Sequence, residues 1–167
     1  LCDQWEQELR EKFNIEAAVV QPARMARLER GLPRADVSAF QYYRHLVASI
    51  DFVKSHRYRG AFIDNAPDLI IVDEAHTSAR PRGDRASVQH QRYDFLSELV
   101  RTSNPHLIMC TATPHSGIEE SFRSLLGLLD PALDEPEEVE LPRAKLVPHI
   151  VQRRRRDLED WRGSQTP

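Results

Sequence analysis

The chain has 167 residues, 40% of them apolar and 29% charged, with a formal net charge of −3. That length suits one domain with a modest core, and no run of 18 apolar residues occurs to span a membrane as a helix. A net acidic balance excludes a global basic field for nucleic acid, so any such contact must come from local charge.

The start, Leu1-Cys2-Asp3-Gln4-Trp5-Glu6, lacks the basic and then apolar pattern of a signal peptide. It also lacks an initiator Met, which points to a piece of a longer chain. Leu1, Trp5, Leu9 and Phe13 recur every four residues, which predicts an amphipathic helix. Ala17-Ala18-Val19-Val20 follows as a short buried strand. Residues 22–44, rich in Arg and broken by Pro22 and Pro33, read as a surface segment with a short helix. Leu46 to Ile50 reads as a strand, with Asp51 placed to cap a helix that starts at Phe52.

Ala66-Pro67-Asp68 is a turn signal. Leu69-Ile70-Ile71-Val72 is too short for a helix and fits a strand buried on both faces of a parallel sheet. Residues 77–87 are polar and read as a loop. Val88, Phe95, Leu96, Leu99 and Val100 form a second helix stripe, which Asn104-Pro105 breaks. Leu107 to Cys110 is a second buried strand. Ser116-Gly117-Ile118-Glu119 matches a capping box for a helix carrying Phe122, Leu125, Leu126 and Leu129, ended by Asp130-Pro131. Strands alternating with helices at these spacings predict an α/β layer fold with a parallel sheet flanked by helices.

Basic charge is almost all Arg, 20 residues against three Lys. Arg forks bind phosphate in two-pronged fashion, so the bias permits phosphate contacts; GC-rich coding would produce the same bias. The two cysteines, Cys2 and Cys110, argue against a disulfide scaffold and for a reducing, cytoplasmic compartment.

The strongest chemical signal is Asp73-Glu74-Ala75-His76 directly behind the strand at 69–72. Open α/β sheets bind ligands at the carboxyl ends of their strands. In nucleotide hydrolysis an acid there holds Mg²⁺ on the β- and γ-phosphates, and a neighbouring carboxylate can orient and deprotonate the attacking water. Average residue usage gives this tetrapeptide on the order of once in a thousand chains of this size, so its place behind a strand is informative. The second signal is Thr111-Ala112-Thr113-Pro114, again behind a strand and before a helix. By itself it reads as a turn with a local hydroxyl contact; about 35 residues after the acids, with one amphipathic helix between, the pairing becomes specific.

Asp-Glu-Ala-His at 73–76 resembles helicase motif II, and Thr-Ala-Thr-Pro at 111–114 resembles motif III. The opening Leu1, Gln4-Trp5 and Glu8-Leu9 are similar to the segment after motif Ia in Swi/Snf-type ATPases. Ser49-Ile50-Asp51 sits where that family has a nucleic-acid-facing motif. His149-Ile150-Val151-Gln152-Arg153-Arg154 resembles its arginine-rich stretch before the second lobe. The order spans nearly the whole chain and is closest to the bacterial RapA-like group of superfamily 2. The resemblance implies a partial first RecA-like lobe over 1–133, an acidic linker-like segment at 134–142, and a basic segment at 143–167 leading to a second lobe. It implies an ATP- and Mg²⁺-dependent motor on nucleic acid, double-stranded DNA above all. Asp73 would hold the metal and Glu74 would act as general base. His76, Thr111, Ala112 and Thr113 would couple nucleotide state to the track. Ser49, Arg153 and Arg154 would face nucleic acid or the partner lobe.

None of the six glycines is followed by Lys, so no Gly-x-x-x-x-Gly-Lys phosphate loop occurs in these residues. The family carries that loop upstream of motif Ia and its arginine finger on the second lobe. The expectation is that this chain alone neither binds ATP tightly nor hydrolyses it. A sheet short of a strand would also expose an edge and apolar surface, favouring instability or self-association. Two other readings stay open. One is a non-catalytic nucleic-acid-binding or protein-interaction module, drawn from the Arg richness. The other is a metal-dependent hydrolase using Asp73, Glu74 and His76, which has few ligands for a two-metal site.

Overall fold

The computed structural model of the protein describes residues 1–80, 88–113, 119–134, 136 and 140–152. Helix α1 (Cys2–Phe13) leads to strand β1 (Ala18–Val20), helices α2 (Pro22–Arg30) and α3 (Ala39–Tyr42), strand β2 (Leu46–Ala48), and helices α4 (Ile50–Val53) and α5 (Arg59–Asp64). Strand β3 (Leu69–Val72) follows, then a 3-10 turn (Ala75–Ser78), helix α6 (Val88–Ser103) and strand β4 (His106–Met109). Helix α7 (Glu119–Leu129), a 3-10 turn (Pro131–Leu133) and helix α8 (Arg143–Leu146) complete the described elements.

Both strand pairs are parallel, as the alternation of strands and helices predicts. β1 pairs with β2 in the register Val19 to Val47, and β3 pairs with β4 in the register Ile71 to Ile108. Each connection crosses over through helix, which a parallel pair requires. Among the described residues these form two separate two-stranded ladders. The architecture is that of an α/β, partial RecA-like lobe.

The core lies on one side of both ladders. Val20, Met25, Phe40, Val53, Phe62, Ile63, Phe95, Leu96, Leu99, Leu125 and Leu128 form one buried cluster. The rings of Phe40 and Phe62 meet edge to face at 5.2 Å, and Phe62 and Phe95 at 5.9 Å, joining α3, α5 and α6. Such pairs add about 0.5–1.5 kcal/mol each beyond area burial.

Four sequence expectations change. Residues 22–44 are more than surface: Met25, Ala39 and Phe40 are buried, because α2 and α3 turn one face each onto the core. Ser49, not Asp51, occupies the N-cap of α4; its carbonyl accepts from the amides of Phe52 and Val53, and β2 ends at Ala48. Asp51 lies in the first turn of α4 instead, with Arg92 and Lys54 as partners. Strands β3 and β4 alternate exposed and half-buried residues rather than being buried on both faces. Ile70, Val72, Leu107 and Met109 pack on the core, while nothing among the described residues covers Leu69, Ile71 and Ile108. The loop expected over 77–87 begins as the 3-10 turn through Ser78; its remainder from 81, and the capping-box residues 116–118, lie outside the described residues.

The acidic segment starts under restraint. Asp134 accepts from Arg80 at 2.6 Å, and the Pro136 carbonyl accepts from Arg123 at 2.6 Å. A Cβ at Gly127 would stand 2.6 Å from the Cβ of Asp134, so glycine is needed for that approach. Arg80 also donates to the Tyr93 hydroxyl at 2.7 Å and lies over the Tyr93 ring. No described helix is long and apolar enough to cross a membrane.

Candidate functional site

Strand β3 delivers Asp73 and Glu74 at its carboxyl end, beside the carboxyl end of β4. The ladder continues one step past both strands. The Cys110 amide donates to the Val72 carbonyl at 2.8 Å, and the Ala75 amide donates to the Cys110 carbonyl at 2.9 Å. These bonds clamp the acidic turn onto the stretch leading to Thr111.

Three non-glycine residues among those described have positive φ: Asn14 (53°), Glu74 (49°) and Asn104 (44°). Asn14 caps α1 in the left-handed conformation, and Asn104 directly follows α6; asparagine is well suited to both places. Glu74 is different, since it has neither the short amide of Asn nor the freedom of Gly. Left-handed backbone costs such a residue about 1–2 kcal/mol. The Asp73 carboxylate offsets part of this by accepting from the Glu74 amide at Oδ1, 2.9 Å away. Thr77 adds a turn bond, its amide donating to the Glu74 carbonyl at 2.9 Å. Strained backbone held by its surroundings clusters at functional sites, and here it leaves the Glu74 side chain exposed.

His76 joins the two strand ends. Its Nδ1 lies 3.1 Å from Thr111 Oγ1 and 3.3 Å from Glu74 Oε2. A carboxylate only accepts, so the tautomer that satisfies both contacts carries its proton on Nδ1. Thr111 Oγ1 then accepts twice, from Nδ1–H and from the Thr113 amide at 3.2 Å, filling both lone pairs. Ala75 beneath them is fully buried, and Ala112 and Thr113 are exposed.

Asp73 has a partner that the sequence reading did not assign to the site. The indole Nε1–H of Trp5, on α1, donates to Asp73 Oδ2 at 2.9 Å across 68 residues of sequence. The signal was present in the sequence: a part-buried Trp on an apolar stripe needs an acceptor for its N–H. Which acceptor could not be read from spacing.

The structure thus brings Asp73, Glu74, His76, Thr111 and Thr113 into one hydrogen-bonded cluster. Ser49 stands at the end of the other ladder, its amide donating to the Val20 carbonyl at 3.2 Å, and it shares no hydrogen bond with that cluster among the described residues. Arg153 and Arg154 lie outside the described residues.

The donor chemistry fits one use of Mg²⁺ and not another. A carboxylate accepts about four hydrogen bonds, and among the described residues two reach Asp73, leaving room for a cation. Mg²⁺ is commonly held by one or two carboxylates plus substrate phosphates and water. No group of three or more His, Cys, Asp or Glu able to hold a metal exists among the described residues, so they form no all-protein metal cage.

No protein-family model matches the chain. Among curated proteins it is 30% identical over 131 residues to the RNA polymerase-associated protein RapA of Pseudomonas aeruginosa. It is 31% identical over 132 residues to the RapA proteins of Photobacterium profundum and Cronobacter sakazakii. Each match covers 78% of this chain, and the chain spans about 13% of the length of these relatives. Taken with the parallel α/β layering and the two motif turns joined at its strand ends, this similarity makes the chain a RapA-like segment of the Swi/Snf branch of superfamily 2.

Proposed function

We propose that these residues are the motif II and motif III part of the first ATPase lobe of an ATP-dependent motor that moves on nucleic acid, with double-stranded DNA as its track. The observation that carries the proposal is the joining of the acidic turn after β3 to the end of β4, through His76 to Thr111 and through the Ala75 amide to the Cys110 carbonyl. A glutamate in left-handed backbone with its carboxylate exposed is uncommon, and strain of this kind clusters at functional sites, which supports the reading.

In this reading Asp73 would hold Mg²⁺ with one carboxylate, and the chemistry gained would be charge neutralisation at the nucleotide phosphates. Glu74 supplies the general base: its exposed carboxylate orients the attacking water and takes its proton. His76 keeps the Glu74 carboxylate within reach of Nδ1–H and passes any displacement of that carboxylate to Thr111. Thr111 and Thr113 relay it towards the nucleic-acid face, and Ser49, Arg153 and Arg154 contribute contacts there. The phosphate-cradling loop and a second RecA-like lobe complete the machine. The relatives' name, RNA polymerase-associated, makes the transcription apparatus the setting we infer.

The test is DNA-stimulated ATP hydrolysis by the two-lobed protein that carries these residues. Glu74→Gln lowers turnover by at least about a hundredfold while nucleotide binding persists, and Asp73→Asn weakens the Mg²⁺ dependence of that binding. Turnover that stays near its starting value in Glu74→Gln overturns the proposal.

A further inference from the structure

Helix α1 lies against β1 and β2, on the first ladder, and is tied to α2 by Arg24, which donates to Glu6 at 2.7 Å and to Asp3 at 2.9 Å. None of its residues is fully buried, and Leu1 and Phe13 at its two ends are 68% and 67% exposed. Its contribution to the core is therefore small. Yet it sends one side chain to the end of the second ladder, where the Trp5 indole donates to Asp73 Oδ2.

We infer that Trp5 is a positioning residue for Asp73, fixing the carboxylate in the orientation in which it takes a divalent cation. The inference rests on the metal-holding role proposed above for Asp73. Three features support it. The Glu74 amide holds Oδ1 and the Trp5 indole holds Oδ2, so the two donors lock the plane of the carboxylate from both oxygens. Both donors are neutral. An Arg or Lys in the place of Trp5 would hold the group as firmly, but its charge would repel the cation. An indole has a single N–H and no acceptor, so it engages one lone pair and leaves the others open. Because α1 rests on the first ladder, the indole also ties the orientation of Asp73 to the placement of β1 and β2.

In the two-lobed protein that carries these residues, Trp5→Phe assigns the Trp5 indole ¹⁵N–¹H resonance by its disappearance. With Trp5 present, that resonance moves on Asp73→Asn, a substitution outside α1. It also moves on titration with Mg²⁺ alone, but not once Asp73 is Asn. Affinity for Mg²⁺, read by its displacement of Mn²⁺ in electron paramagnetic resonance, falls about tenfold in Trp5→Phe, the usual scale for losing a partner that orients a metal-binding carboxylate. An indole resonance indifferent to Asp73→Asn overturns the inference. If Asp73→Asn abolishes metal binding and Trp5→Phe leaves it unchanged, the role of Trp5 falls and that of Asp73 stands. If Asp73→Asn leaves metal binding unchanged, the proposed role of Asp73 falls and takes this inference with it.

Discussion

The first ladder is better covered than the second, which is half bare. Val19 and Val20, on opposite faces of β1, are 3% and 0% exposed, whereas Leu69 and Ile71 on β3 and Ile108 on β4 are 50%, 48% and 48% exposed. The barer strand is the more hydrophobic in sequence, Leu-Ile-Ile-Val against Ala-Val-Val. A strand's composition therefore states how much burial it can use, and its neighbours decide how much it receives. The strand ends differ too. β2 is followed by Ser49, an N-cap whose backbone carbonyl starts α4, while β3 is followed by an acidic turn clamped to the end of β4 by backbone and histidine.

The largest expected effect separates those two ends. In the two-lobed protein Glu74→Gln lowers ATP turnover by about 10²–10⁴-fold, the scale of a lost general base. Ser49→Ala acts on nucleic-acid stimulation instead and leaves basal turnover near its starting value. A steady-state ATPase assay with and without DNA checks both, and equal losses would erase the distinction between the ends.

The next effects separate core from bare face. Phe95→Ala, at a residue 1% exposed, costs about 3–5 kcal/mol in a urea melt. Val20→Ala costs about 2 kcal/mol, from two lost methyl-sized groups and the space they leave. Ile71→Ser on the bare face stays within about 0.5 kcal/mol, the range of surface changes. The same substitution lowers self-association in sedimentation velocity, because it breaks the exposed apolar patch. A cost at Ile71 equal to that at Val20 would mean that this face is covered in solution.

A smaller effect tests the clamp. Thr111→Val removes the acceptor of the His76 proton while keeping the shape, at a cost of about 1 kcal/mol. A double-mutant cycle with His76→Phe shows coupling if the 3.1 Å contact is made.

The smallest effect concerns pH. The hydrogen bond from Arg92 holds the Asp51 carboxyl below its ordinary value of 3.8, against a smaller opposing effect of burial. A depressed folded value means that the pair contributes fully above the unfolded value and loses its contribution as pH falls through the folded one. Asp51 is 45% exposed, so the contribution is about 0.2–1 kcal/mol. Asp51→Asn flattens that part of the acid limb of a stability–pH curve below about pH 4.

Much of this molecule was legible in its sequence because the signals are local. The four-residue recurrence of Leu1, Trp5 and Leu9 marked α1, and the short apolar runs before Asp73 and Thr111 marked β3 and β4. The acidic turn stood out because residue type and place behind a strand coincide within eight positions. The N-cap of α4 was misplaced by two residues because Ser49 and Asp51 are both good caps, and only the end of pairing at Ala48 chooses between them.

Order along the chain was enough to specify the helices, the strands, the parallel α/β arrangement and the identity of the acidic and threonine turns, since each follows from periodicity or from a few adjacent side chains. Packing in three dimensions was needed to settle which face of β3 and β4 is bare, that His76 meets Thr111, and that Trp5 reaches Asp73 from 68 residues away. Those outcomes depend on how separate elements stack, and an unpaired indole or imidazole carries no record in the chain of which distant acceptor will satisfy it.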